Sequence, residues 1–210
     1  MNKKVSLISI YSKDTVGIPP LGPLYLATAL KKGGFGVQII HKQSQDVNSI
    51  TKEIEDFHPD LIGMSVFTGY QNENCVNLSK YFKSKGYLIV WGNAHPSLLP
   101  EQVLREDYVD FIVFGEGEQT LVDLVKNLDN IEEFKNIDGL GYKDSGGIHV
   151  NERTSYINID DYLIDWSLIN IEDYLVPYFS NEYKRVLAIT TSRGCPYNCQ
   201  FCYNLVFNKR

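Results

Sequence analysis

Apolar runs alternate with amphipathic segments over the first 128 residues of the chain. In the intervening segments, apolar residues recur at helical spacing, as Cys75, Leu78 and Phe82 do, before a glycine such as Gly86 ends the pattern. The apolar runs are short enough for buried strands. Five strands are predicted: Val5–Ile10, Val37–Ile40, Asp60–Phe67, Leu88–Trp91 and Phe111–Phe114. This alternation predicts an α/β fold with a doubly wound, five-stranded parallel sheet.

The rest of the chain divides into a connection and a short C-terminal part. Residues 1–130 hold the predicted sheet. Residues 131–185 begin with a predicted β-hairpin at Leu140–Val150, which turns at two glycines, and continue as an acidic, aromatic linker. In residues 186–210, the apolar run Val186–Ile189 predicts a strand that leads into a cysteine-rich loop.

The composition disfavours several classes of function. The chain is 43% hydrophobic and 22% charged, with a formal net charge of −6, whereas proteins that bind nucleic acid without sequence preference are usually basic. No stretch approaches the roughly 18 apolar residues that span a bilayer, and the apolar part of the N-terminus is too short for a signal peptide. We therefore expect a cytoplasmic protein with reduced thiols that binds neither nucleic acid nor a membrane.

Three of the four cysteines lie within eight residues, at C-x3-C-x2-C spacing: Cys195, Cys199 and Cys202. Structural zinc takes four ligands, and the other candidates, His149 and Cys75, are distant in the sequence. An odd cluster in a chain of this length does not suit a disulfide framework either. A four-iron cluster held by three thiolates keeps one iron open for another ligand. We predict that these cysteines bind a 4Fe-4S cluster.

This motif resembles that of the radical S-adenosylmethionine (SAM) superfamily. Arg193-Gly194 precedes the first cysteine, and the aromatic residue Phe201 precedes the third. The resemblance implies that SAM binds the open iron and that Phe201 packs on the SAM adenine. It also implies an electron donor, such as flavodoxin or ferredoxin, that reduces the cluster.

Small or glycine-rich loops follow four of the predicted strands. Ligands of such sheets bind beyond the carboxyl ends of the strands, and glycine there lets the backbone approach a ligand closely. Four small or glycine-rich loops on one edge predict a broad, shallow cleft for a large planar ligand. The loops lack the spacing of a dinucleotide fingerprint or a P-loop. The candidate cofactor-binding residues are Pro20, Leu21, Gly22, Ser65, Thr68, Gly92, Asn93, His95, Gly115, Glu116 and Gly117.

Together these loops carry a second resemblance. Pro19–Gly22, Gly92–Pro96 and Gly115–Glu118 are similar to loops in the N-terminal cobalamin-binding domain of B12-dependent radical SAM enzymes, where this domain also precedes the cluster motif. The resemblance implies a flavodoxin-like or Rossmann-like cobalamin-binding fold, and methyl transfer, ring closure or rearrangement of a small-molecule substrate.

Two other functions remain as alternatives. The first is a flavodoxin-like recognition module of a radical SAM iron–sulfur protein that binds no cobalamin. The second, a flavin- or nucleotide-binding protein, is disfavoured because the loop after the first strand is not the Ser/Thr-rich phosphate loop that flavin mononucleotide needs.

One departure from the cobalamin-binding pattern concerns cobalt. Proteins that ligate cobalt with histidine carry D-x-H-x-x-G after the first strand, and within Asp14–Pro19 the histidine position is occupied by Val16. The comparison implies cobalamin in a His-off form. His95 is the only histidine expected at the ligand edge. It is interpreted as a contact to corrin side chains or a brace of the Pro96 turn, and with less support as an axial ligand.

Other reactive residues have structural interpretations. Cys75 lies on an apolar helical face and is expected in the core. His41 and His58 are expected at the surface. Glu118 suits the first turn of the last helix of the sheet domain, where the helix dipole favours an acid.

A radical SAM barrel needs several βα units after its cluster loop, and eight residues follow Cys202. We therefore expect the N-terminal portion of a longer enzyme. On its own, this portion is expected to bind a corrinoid at best, to hold a cluster poorly through thiols that oxidise easily, and to catalyse nothing.

Overall fold

A central, mostly parallel sheet organises the chain in the computed structural model, which describes residues 2–12, 17–43, 46–69, 71–178 and 183–204. Its five parallel strands confirm the doubly wound arrangement, in the order β2-β1-β3-β4-β5. They are β1 (Lys4–Tyr11), β2 (Gly36–Gln43), β3 (Leu61–Ser65), β4 (Leu88–Gly92) and β5 (Phe111–Val113).

Within the described residues, six α-helices cover the two faces of this sheet: α1 (Leu21–Lys32), α2 (Val47–Phe57), α3 (Gln71–Ser84), α4 (Ala94–Leu98), α5 (Pro100–Leu104) and α6 (Glu118–Lys126). The short helix α4 falls where the sequence predicts only a loop. None of these described helices combines the length and the apolar character that a bilayer span requires.

The sheet separates two hydrophobic cores because successive side chains of a strand point to opposite faces. In β1, Ile8 and Ile10 pack with α2, α3 and α5, whereas Val5 and Leu7 pack with α1 and α6. Cys75 lies buried in the first core, as predicted, and burial raises the pKa of its thiol to about 12.

A β-hairpin extends the sheet beyond its five parallel strands. Strands β6 (Leu140–Asp144) and β7 (Gly147–Val150) form the predicted hairpin, and β6 pairs antiparallel with β5 to give a seven-stranded sheet. Gly141 lies opposite Ile112, and a Cβ at this glycine would lie 2.4 Å from Ile112 Cγ1. The glycine therefore lets the hairpin join the sheet where Ile112 fills the core.

The linker after the hairpin returns across the domain to the opposite edge of the sheet. Near its middle, the Asp165 backbone N–H donates to Thr28 Oγ1 at 2.9 Å, and Lys31 Nζ donates to the Asp165 carboxylate at 2.6 Å. Both partners lie on α1. Further on, the Tyr174 hydroxyl lies 2.9 Å from Nδ1 of His41 in β2.

His41 is half-buried, so its predicted surface position is wrong. Its ring lies between Tyr11, with centroids 4.5 Å apart, and Tyr174, which stacks on it at 5.6 Å. Burial lowers the pKa of His41 to about 4. The sequence gives no sign of this packing because Tyr174 arrives from the distant linker. The other histidine expected at the surface, His58, is exposed at the end of α2.

The predicted strand Val186–Ile189 is largely wrong. Strand β9 (Tyr183–Val186) ends where the prediction begins, and it pairs with β8 (Val176–Tyr178) in a separate two-stranded sheet. Residues 187–189 form no strand. An apolar run becomes a strand only beside another strand, and no described strand pairs with these residues.

The turn from β4 into α4 holds a strained residue. Asn93 has φ 84° and ψ −164°, a region that is occupied almost only by glycine. Its Oδ1 accepts from Ala94 N–H at 2.7 Å, and its Nδ2 donates to Ser65 Oγ at 3.0 Å. The bond to Ser65 fixes the loop after β4 to the end of β3, and the bond from Ala94 caps α4.

Replacing His41 by phenylalanine should make the protein less sensitive to acid. Because the folded-state pKa of His41 is lowered, the unfolded chain binds more protons between about pH 6.5 and pH 4. The wild-type free energy of unfolding should therefore fall as the pH is lowered through this window, by a few kcal/mol as an order of magnitude. Urea unfolding at pH 7.5 and 4.5 measures the difference. Equal losses in the wild type and the His41→Phe variant would contradict the assignment.

Replacing Asn93 by alanine should destabilise the protein more than replacing it by glycine. Both Asn93→Ala and Asn93→Gly lose the same two hydrogen bonds, but only alanine keeps a Cβ in the strained conformation. We expect Asn93→Gly to be the more stable of the two by about 1 kcal/mol. Urea unfolding at neutral pH tests this order, and a more stable alanine variant would show that the backbone here is not strained.

Candidate functional site

A cavity of about 380 Å³ opens at the carboxyl edge of the sheet. It reaches down between the sheet and the helices α1 and α6, so much of its wall is apolar. The apolar wall residues are Leu7, Ile8, Leu21, Leu26, Met64, Val90, Val113 and Leu121. Parallel strands end together at this edge, which is where ligands of such sheets bind.

Most of the loop residues predicted from the sequence meet in this cavity. Those that line it are Leu21, Gly22, Ser65, Gly92, Asn93, Gly115, Glu116 and Gly117. Four predicted residues lie outside its wall: Pro20, Thr68, His95 and Phe201. Pro20 is buried directly before α1. Phe201 is exposed in the cysteine segment, which comprises residues 190–202.

Two glycines of the cavity wall let neighbouring side chains pack directly against the backbone. A Cβ at Gly63, inside β3, would lie 2.7 Å from Leu7 Cδ2. A Cβ at Gly117 would lie 2.9 Å from Val113 Cγ1 and 3.1 Å from Leu26 Cδ2. Gly63 was not among the predicted site residues, although a lone glycine within an apolar strand is a signal of close approach.

Two carboxylates, Glu116 and Glu118, are buried at the cavity mouth, with 5% and 3% of their surfaces exposed. Glu118 is at the start of α6, as predicted. Its Oε1 accepts from Arg193 Nη2 at 2.6 Å, and Glu116 Oε1 lies 3.7 Å from Arg193 Nη1. Glu116 Oε2 also accepts from the Ile157 backbone N–H at 3.1 Å. Glu116 therefore anchors the linker in addition to lining the cavity.

Arg193 completes the mouth of the cavity and was not predicted as a site residue. Its guanidinium lies 4.3 Å from the centre of the Tyr25 ring. Burial alone would lower the pKa of Arg193, but the hydrogen bond that Arg193 donates to Glu118 and the charges of Glu118 and Glu116 outweigh it and raise the pKa. The guanidinium of Arg193 is therefore held in its charged form.

One carboxylate oxygen at the mouth has no hydrogen-bond partner among the residues that the structure describes. Glu118 Oε2 is buried and accepts no hydrogen bond from any of the residues that the structure describes. A buried acceptor left without a donor costs free energy. A ligand that fills the cavity with an N–H or O–H group near this oxygen would recover that cost.

The ring of His95, beside the cavity, contacts the loop after β3 and the first turn of α3. Its Nδ1 lies 3.1 Å from Thr68 Oγ1, and its Nε2 lies 3.4 Å from Asn72 Nδ2. Burial lowers the pKa of His95, which favours the neutral ring at neutral pH. The interpretation that its ring braces the Pro96 turn through a backbone hydrogen bond is not confirmed, because the ring contacts the side chains of Thr68 and Asn72 instead. Val16, which stands at the histidine position of cobalt-ligating proteins, lies outside the described residues.

The three cysteines of the predicted cluster site are free thiols. Cys199 is exposed, Cys195 and Cys202 are half-buried, and the Cys202 backbone N–H donates to the Cys199 carbonyl at 3.0 Å. Within the described ranges, no three histidine, cysteine or carboxylate side chains are grouped as a metal site requires. The ligand role of these cysteines therefore stays a prediction from their spacing.

Known proteins resemble this chain along most of its length. It is 34% identical over 204 residues to an uncharacterized methyltransferase, PH0819, of Pyrococcus horikoshii, covering 91% of this chain and 42% of that protein. It is 28% identical over 196 residues to the anaerobic magnesium-protoporphyrin IX monomethyl ester cyclase of Rubrivivax gelatinosus, covering 88% and 34% of the two chains. The chain thus spans less than half the length of these relatives.

A solved structure shares the fold. The cobalamin-dependent S-adenosylmethionine radical enzyme OxsB, with aqua-cobalamin and S-adenosylmethionine bound, matches 96% of this chain and 28% of its own, with a TM-score of 0.78 and 28% identity. The family model of the B12 binding domain matches residues 13–125, more than half of the sequence. The chain therefore belongs to the B12-binding domain family, in the form that resembles the N-terminal portion of cobalamin-dependent radical SAM enzymes.

Proposed function

We propose that this chain is the cofactor-binding portion of a cobalamin-dependent radical SAM enzyme and that its cavity holds part of the cobalamin. The observation that carries the proposal is the cavity at the carboxyl edge, because most of the residues that line it fall within residues 13–125, which the B12 binding domain model matches. Cobalamin has a cobalt-bearing corrin ring with amide side chains and a nucleotide tail that ends in dimethylbenzimidazole.

The size and lining of the cavity favour the nucleotide tail. At about 380 Å³, the cavity is near the small end of the roughly 300–1,000 Å³ range of ligand sites, so it suits one part of so large a cofactor. Its apolar walls match the flat, apolar benzimidazole. Beside the cavity, Ile18 and Phe67 expose about half of their surfaces and offer apolar area to the corrin ring.

Polar groups at the mouth suit the amides and hydroxyls of cobalamin. Glu118 Oε2 is a buried acceptor that can take an N–H or O–H donor. Ser65 Oγ accepts from Asn93 Nδ2, and its hydroxyl can also donate to a ligand oxygen. Cobalamin held here would supply a cobalt centre able to accept and pass on a methyl group. The residues of this chain would hold its tail and shield that tail from water, without a histidine ligand from the Val16 position.

The proposed 4Fe-4S cluster and SAM site of the enzyme are inferred from the cysteine motif. Cys195, Cys199 and Cys202 would supply three thiolates to a 4Fe-4S cluster once they are drawn together, and SAM would bind its open iron. Phe201 is 93% exposed and so is available to pack on an adenine. We expect the whole enzyme to use an electron donor such as flavodoxin or ferredoxin and to methylate or cyclise a small-molecule substrate. The relatives include both a methyltransferase and a cyclase.

Corrinoid binding by the anaerobic, purified chain tests the first part of this proposal. We expect the chain to retain hydroxocobalamin after desalting, as measured by visible absorption. The Gly22→Phe variant should bind about tenfold more weakly or worse, because Gly22 lines the cavity and its Cβ position faces open space, so a phenyl ring can enter without a clash. Cobinamide, which lacks the nucleotide tail, should lose less affinity.

A matched control separates blocking from general damage. Val47→Phe adds the same ring at an exposed position at the start of α2, which is not part of the cavity wall, and should bind like the wild type. Equal binding of hydroxocobalamin by the wild type and Gly22→Phe would show that the tail lies elsewhere. A wild-type chain that retains no corrinoid would favour the recognition module without cobalamin.

A further inference from the structure

Arg193 joins the cysteine segment to the cofactor cavity. It precedes Cys195 by two residues, and its guanidinium contacts three groups of the sheet domain: Glu118, Glu116 and the ring of Tyr25. Tyr25 lies on α1, and Glu118 begins α6. A single side chain of the segment therefore touches both helices between which the cavity opens.

The burial of this ion pair distinguishes it from an ordinary surface contact. The side chains of Arg193 and Glu118 are 14% and 4% exposed. Arg185 and Glu172 form a pair of similar length, 2.8 Å, earlier in the same region, but both are more than half exposed. Exposed pairs contribute little, whereas loss of one partner from a buried pair leaves an uncompensated charge. The Arg193 pair should therefore fix the position of its segment.

The same segment forms part of the cavity wall. Thr190, Ser192, Arg193 and Gly194 all line the cavity, as Gly115–Glu118 do. A ligand that fills the cavity thus meets the segment as well as the sheet. Ligand binding and docking of the segment therefore share one surface, so the two equilibria are linked. Each must favour or disfavour the other by the same free energy.

We propose that Arg193 is a positioning residue that docks the cysteine segment on the cofactor cavity, so that corrinoid binding and docking of the segment favour each other. The coupling rests on the proposed function, because it requires that the cavity takes a corrinoid. The docking itself requires only the contacts of Arg193. An arginine suits this role because its planar guanidinium can pair with a carboxylate while its face rests on an aromatic ring, which a lysine ammonium cannot do as well.

Trypsin cleavage after Arg193 measures the docking directly. Trypsin must bind the arginine side chain, so cleavage requires that the ion pair opens, and its rate follows the population of the open segment. The Glu118→Gln variant removes the charge partner and leaves the cleavage site unchanged. We expect it to raise the rate of cleavage after Arg193 about tenfold or more. Cleavage after the exposed Arg185, followed in the same digest by mass spectrometry, is the internal reference.

Two further variants keep the test decisive. Glu172→Gln opens the exposed pair of Arg185 and should leave cleavage after Arg193 unchanged. Arg193→Lys remains a trypsin site and leaves the cavity carboxylates intact, and it should be cleaved at a rate between those of the wild type and Glu118→Gln. An unchanged rate in both Glu118→Gln and Arg193→Lys would overturn the docking role.

The digest repeated with bound hydroxocobalamin tests the coupling. We expect the corrinoid to slow cleavage after Arg193 in the wild type and to slow it much less in Arg193→Lys. Binding without any slowing would overturn the coupling. If the wild type binds no corrinoid, the proposed function and the coupling both fail, while the digest without corrinoid still decides whether Arg193 docks the segment.

Discussion

The site depends on one constraint of the fold: parallel strands buried on both faces must all end at the same edge. In β1, alternate side chains pack in the two cores, with Leu7 on one face and Ile8 on the other. A shift of the strand by one residue would move each set of side chains into the core that is built for the other set. This fixed register brings the loops after β1, β3, β4 and β5 together. The cavity is then the gap that remains at this edge between the sheet and the helices α1 and α6.

Two buried carboxylates at this edge bind later parts of the chain to the sheet domain. Glu116 accepts from the linker at Ile157, and Glu118 pairs with Arg193 next to the cysteines. A buried carboxylate is tolerated only where donors or cations surround it, so these residues draw later parts of the chain back onto the sheet domain. The linker thereby crosses from the hairpin edge to β2, where Tyr174 meets His41.

The sequence predicts those features that local pattern determines. Apolar periodicity identifies all five parallel strands and the buried position of Cys75, and the strand-end rule brings glycines such as Gly92 and Gly115 to the cavity. It fails where the partner of a residue is remote in the chain. The packing of His41 needs Tyr174, the ion pair of Arg193 needs Glu118, and residues 187–189 need a neighbouring strand that no local pattern can specify.

The two oxygens of Glu118 explain why the loop before α6 can be at once part of the fold and part of the site. One oxygen is satisfied by Arg193, and the other is buried without a partner among the described residues. If the loop served only to hold the chain together, this second oxygen would carry a desolvation cost with nothing to offset it. A cofactor that donates to it would remove that cost and at the same time strengthen the surface on which Arg193 docks. The unpaired oxygen is therefore easier to understand in a binding site than in a scaffold that has lost its ligand.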